Sequence, residues 1–145
     1  MKQTAMAMTI QIEDKTEIER LLALLHIGLC VAIGQGILSI EAAEDYLYSP
    51  YTVEKLEELG VSPQLRRLVQ FGCELEDVAS ILPKKLDESL AEMKQAALEI
   101  LQALPPHNPD QQWVQTMPIT PHPANTTNGL PIPTRRAKIY AASRP

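Results

Sequence analysis

Three histidines, two cysteines, four tyrosines and two knots of carboxylates are the side chains with which this chain could do chemistry. His26 lies inside an apolar run, where a buried imidazole bonded to a backbone or carboxylate group is the expected state. It is set aside as a catalytic base for want of a nucleophile at helical spacing, with Cys30 read as an ordinary thiol. His107 and His122 sit among prolines, and neither has a second ligand three or four residues on, which argues against a metal site. Cys30 and Cys73 are separated by 42 residues and have no secretion signal ahead of them, so they read as thiols of a reducing compartment.

The carboxylates are the next candidates. Glu74-Leu-Glu76-Asp77 and Glu41-x-x-Glu44-Asp45 could supply oxygens to a divalent ion. A di-iron bundle wants Glu-x-x-His on facing helices, and no acid here has a histidine three residues later. Acids at 74–77 also suit the first turn of a helix, where they complement its dipole, and one partly buried there could hold loop amides. No catalytic, cofactor-binding or metal-ligating residue is assigned, and no cofactor is expected. The chain reads more readily as a non-enzyme; were it an enzyme, Glu74 and Asp77 would stand at its centre.

Tyr46, Tyr48 and Tyr51 crowd around Ser49-Pro50. Such a group can bury its rings at a corner between helices and hydrogen-bond across the turn. It can equally form a binding face, since tyrosine is favoured at interfaces. Trp113 and Met117, in an apolar knot with Val114 and Ile119, make a second candidate protein-binding segment. That knot either folds back on the helices or serves a partner as a linear motif.

The elements that must position these residues are mostly helical. Met6, Met8, Ile10 and Ile12 alternate with Ala7, Thr9 and Gln11, the pattern of a short strand with no evident mate, hence an extended arm or an edge for a second copy. Thr16-x-x-Glu19 reads as a capping box opening a helix that carries Ile18, Leu21, Leu22, Leu25, Leu29 and Ile33, with Gly28 admitting a close neighbour and Gly36 as C-terminal cap. Ser39 caps a short helix. Ser49-Pro50 and Ser62-Pro63 open two more, the first closed by Gly60. A short helix over 74–82 stops before Pro83, and a longer one over 87–104 stops at Pro105-Pro106.

The fold expected is therefore all-α, a compact irregular bundle of about six helices. It divides into an N-terminal arm or strand (1–15), a helical domain (16–104) and a proline-rich, largely irregular tail (105–145). Nine of the 12 prolines fall after residue 104. Residues 1–104 carry nine basic and seventeen acidic residues, a net of −8, and the remainder carries +3. An acidic body is unsuited to gripping a nucleic-acid backbone. The basic group Arg135, Arg136, Lys138 and Arg144 could touch RNA, an anionic membrane or an acidic protein, or simply solvate the end of the chain. Leu21–Leu38 approaches the length of a membrane span, but His26 and Gln35 interrupt it and no basic cluster flanks it, so a buried helix is expected.

The stretch from HIGLCVAIGQGILSIEAAEDYLYSPYTVEKLEELG through ELEDVASILPKKLDESLAEM resembles a family of small all-helical bacterial proteins of uncharacterised function. The shared features are an apolar helix with internal glycines, the turn into Tyr-Leu-Tyr-Ser-Pro, and Glu-Leu-Glu-Asp before a proline. The resemblance spans about residues 15–100 and implies a bacterial, cytoplasmic, helical protein without implying an activity. The expected function is a non-catalytic protein-interaction or regulatory module with a protein partner. An immunity or antitoxin-type protein neutralising a basic partner is the alternative, and surplus apolar surface on the first helix admits a homodimer.

Overall fold

The computed structural model describes residues 5–119. The basic group at 135–144 and His122 lie outside the described residues. Among those described, helix predominates, and two compact units are distinguished: residues 12–111, and a second formed by the chain on either side of them.

The helical unit begins with α1 (Lys15–Gly34) and continues through α2 (Ile40–Tyr46), α3 (Pro50–Glu58), α4 (Pro63–Cys73) and α5 (Leu75–Ile81). A single 3-10 turn (Pro83–Lys85) leads into α6 (Leu86–Ala103). The start of α1 departs from the expected capping box. Asp14, not Thr16, is the N-cap, its carboxylate accepting from Thr16 N at 2.8 Å. The carboxylate two residues upstream satisfies the orphan Thr16 amide in the first turn, and it also complements the helix dipole.

Serine caps open the next three helices: Ser39 Oγ accepts from Ala42 N, Ser49 Oγ from Thr52 N and Ser62 Oγ from Leu65 N. Pro50 and Pro63 occupy first-turn positions whose missing N–H is no loss. α1 and α3 end alike. Gly36 and Gly60 both adopt φ +72°, and each closes its helix with the paired bonds of a Schellman motif: Ile37 N to Ala32 O with Gly36 N to Ile33 O, and Val61 N to Leu56 O with Gly60 N to Glu57 O.

α1 packs most extensively on α6, and α4 touches α1, α3, α5 and α6. Leu22, Leu29 and Ile33 of α1 share a core with Leu65, Leu68 and Val69 of α4, Leu75 of α5, and Leu90, Met93 and Ala97 of α6. The spacing on α1 follows the 3.6-residue period, so one stripe is buried and Leu24, Leu25 and Val31 stay in solvent. Gly28 lies on that solvent side, and a Cβ added there would meet no neighbouring element within 4 Å among the described residues, contrary to the expected close contact. No helix among the described residues is long and apolar enough to cross a membrane.

The second unit holds a two-stranded antiparallel ribbon of β1 (Met6–Ile10) and β2 (Val114–Pro118), in register from Met6↔Pro118 to Ile10↔Val114. Gln11 N to Trp113 O at 3.1 Å and Ile119 N to Ala5 O at 2.9 Å extend the ladder by one bond at each end. The N-terminal strand thus finds its mate in its own chain rather than in a second copy. The segment expected to fold back or serve as a linear motif supplies that mate. Pro118 is tolerated because it stands at the end of the strand.

Candidate functional site

The tyrosine corner separates its three rings. α2 ends at Tyr46, and Pro50 would remove a helical hydrogen bond and clash with the preceding turn if the helix ran on. The chain therefore turns at Leu47, which is buried, and carries Tyr48 inward, its N–H bonded to Ala43 O at 3.0 Å. Tyr48 is 1% exposed, whereas Tyr46 and Tyr51 are 65% and 55% exposed. Tyr48 accordingly cannot serve as a contact for a partner; it is core, and the binding-face expectation survives only for its two neighbours. Lys55 Nζ lies 5.3 Å from the Tyr51 ring centroid, and its proton is held more tightly than usual, chiefly by the hydrogen bond to Glu58.

Beneath the corner is a buried polar chain. Tyr48 Oη is 2.8 Å from His26 Nδ1 and 3.7 Å from Cys30 Sγ, and the two rings meet edge to face with centroids 5.3 Å apart. His26 is fully buried, and burial pushes its pKa down to about 4, so the imidazole is neutral near pH 7. Burial pushes the pKa of the Tyr48 phenol and of the Cys30 thiol up, so both hold their protons. All three groups keep their neutral forms. The arrangement that uses the most donors runs from Cys30 S–H to Oη and from Oη–H to Nδ1. His26 Nε2 then has no hydrogen-bond partner among the described residues.

Two expectations about His26 need correction. Its partner is a phenol, not a backbone or carboxylate group. A potential nucleophile does stand at helical spacing, because Cys30 is four residues on. The geometry still opposes a thiolate–imidazolium pair: the tyrosine hydroxyl bridges the two groups, and desolvation penalises both charged forms. The chain ties α1 to the α2–α3 corner. Gly72 of α4 completes it, since a Cβ there would fall 2.1 Å from a Tyr48 ring carbon, so the ring lies directly on glycine backbone. Cys73 beside it is a poor thiolate too, its pKa raised to about 11 by burial and then by Glu44 and Glu74.

A second polar cluster fastens the start of α1. Glu17 is buried, yet one carboxylate oxygen accepts from Arg20 Nε at 2.7 Å and the other from Asn108 N at 3.2 Å and from His107 Nδ1. Arg20 also donates to Pro105 O. Burial by itself would raise the Glu17 pKa, but Arg20, the Asn108 amide and His107 together hold it below the ordinary carboxylate value. The double proline ends α6, as expected, but it does not end the packed structure. Residues 105–108 cross back to α1. His107 thereby gains a role that its lone spacing did not suggest; the available signal was an acid on the apolar side of a helix with Arg20 one turn on.

The carboxylates at 74–77 do not hold loop amides. Glu74 is exposed and makes no side-chain capping bond at the start of α5. Among the described residues no group of three or more His, Cys, Asp or Glu is placed to hold a metal ion. Trp113 and Met117 belong to the ribbon, at the start of β2 and within it; Trp113 is half-buried and Met117 exposed.

Residues 13–115 match a family described as "Protein of unknown function (DUF3969)". No curated protein and no solved structure matches the chain.

Proposed function

The chain belongs to the DUF3969 family, and from that premise we propose that it is a non-catalytic protein-interaction or regulatory module of the bacterial cytoplasm. The exposure of Tyr46 and Tyr51 on either side of the buried Tyr48 carries the proposal. Tyrosine contributes large contact area at small entropic cost, having only two side-chain torsions to fix. Here the backbone that bears the two rings is anchored through Tyr48 to α1 and α4, so little order remains to be imposed on binding. Met117 on the ribbon, and Trp113 beside it, form a separate candidate contact.

The test is affinity purification from the native cell with the full chain and with Tyr46→Ser/Tyr51→Ser, followed by reconstitution with the purified partner. A partner retained by the parent and lost from the variant, at unchanged helicity and melting temperature, supports the module. Identical partner sets dispose of the tyrosine face, and losing capture only in Trp113→Ser/Met117→Ser moves the site to the ribbon.

A second reading, an immunity or antitoxin-type protein, draws on charge. All 18 acidic residues lie within residues 12–111 against eight basic ones, a net of −10 for the helical unit. Such a field repels a phosphate backbone and steers a basic protein surface. Protection of cells against a basic toxin encoded beside this gene would favour it; normal growth of a strain lacking this gene but retaining the neighbouring one would count against it.

A further inference from the structure

We propose that a groove bounded by α4, α5 and α6 is a docking site for a basic segment of a protein partner. An apolar anchor side chain of that segment sits on the floor, and flanking lysines or arginines face Glu74 and Glu92. This groove does not include the tyrosine corner, and the proposal goes beyond it. The cavity is about 290 Å³. Leu68, Leu75, Val78, Met93 and Ala96 form its apolar lining, and Phe71, 50% exposed, stands at its wall. Ser89, Glu74 and Glu92 supply the polar positions, and among the described residues no lysine or arginine lines it.

Three observations select the occupant. The volume falls at the lower end of the range for small-molecule sites and suits one large side chain better than a drug-sized ligand. An apolar floor within an exposed polar rim is the anatomy of an anchor pocket at a protein interface, where one buried side chain dominates the binding energy. The charge settles the sign. With Glu74 and Glu92 on the groove and −10 on the unit that contains it, an anionic peptide or a phosphate backbone is repelled and a basic segment is attracted. A second copy of the helical unit, carrying the same −10, is a poor occupant for the same reason.

The test uses the full chain labelled at methionine and alanine methyl groups. It is titrated with a helical peptide of about 14 residues built from Leu, Ala and Lys, with leucines on one face and lysines beside them, and with a twin in which Glu replaces Lys. The Lys peptide should move the Met93 and Ala96 methyl signals, and the Glu twin should leave them unmoved. Glu74→Gln/Glu92→Gln, two surface changes that spare the fold, should weaken the Lys peptide about tenfold. Ser89→Trp, which fills the groove from its rim, should abolish its binding while leaving any partner captured through Tyr46 and Tyr51 in place. The proposal is overturned if the Lys peptide moves only methyl groups away from the groove, if the Glu74/Glu92 double variant binds it as tightly as the parent, or if no shift is seen at ~1 mM peptide.

Discussion

Tyr48 Oη stands 2.8 Å from His26 Nδ1, which hydrogen-bonds the corner after α2 to the middle of α1. The bond is shut away from water, and the other nitrogen of the same imidazole has no hydrogen-bond partner among the described residues. Burial makes the pair costly to disturb, because a polar group stranded in the core forfeits the solvation it had in the unfolded chain.

Tyr48→Phe strands the second imidazole nitrogen as well and should destabilise the helical unit by about 1–3 kcal/mol. Replacing both partners with apolar rings, His26→Phe/Tyr48→Phe, should recover part of that loss. Urea unfolding of the two single variants and the double gives the coupling directly.

Gly72→Ala should be among the most damaging single-methyl changes in the chain, since the new Cβ would meet the Tyr48 ring at 2.1 Å. Overpacking of this kind costs about 1–3 kcal/mol, at the upper end here because the Tyr48 ring is buried and bonded to His26 and cannot swing aside. Shrinking the ring relieves it: Gly72→Ala/Tyr48→Leu should melt higher than the sum of the single changes predicts.

His26 makes stability pH-dependent. Its pKa is about 4 in the fold against 6.5 unfolded, so between those values the unfolded chain binds the proton more readily. Stability is therefore full above pH 6.5 and falls as the pH drops toward 4, by about 3 kcal/mol in total. His26→Phe should flatten the melting temperature between pH 6.5 and 5. A separate loss begins below 4.5, where Glu17 of the unfolded chain takes up a proton that the folded carboxylate, its pKa depressed, still refuses.

Glu17→Gln should loosen residues 105–108 without unfolding the helices. The carboxylate accepts from Arg20, Asn108 N and His107, and an amide oxygen replaces those charge-assisted bonds with weaker ones. Hydrogen exchange at the Asn108 amide should quicken by about tenfold or more while α6 amides keep their protection. Unchanged exchange at Asn108 would show that prolines alone fix the segment.

Ser39, Ser49 and Ser62 were legible as caps because each bond spans three residues, and Gly36 and Gly60 because their dihedral angles favour glycine. The start of α1 departs from the Thr16-x-x-Glu19 pattern because that pattern does not exclude an acceptor upstream, and the Asp14 carboxylate caps the Thr16 amide itself. Nothing local marks Gly72: its side chain is forbidden by a ring 24 positions earlier. The His26–Cys30 spacing was visible but uninformative without Tyr48 between them. The partner of β1 was hidden because its alternation is matched across the whole helical unit by a strand ending in proline. Fold class was thus readable from period and caps, whereas the buried polar chain and the segment on Glu17 depend on contacts made only in three dimensions.

The ribbon has a kinetic meaning. Ile10 pairs with Val114, so forming it from an unfolded chain closes a loop of about a hundred residues, at an entropic cost of about 4 kcal/mol. Two five-residue strands return little against that. Folding of residues 12–111 removes most of the freedom of the intervening chain first. The ladder is therefore the late step, and pulse-labelled amides of Gln11 and Ile119, which donate across it, should become protected after those of α1 and α6.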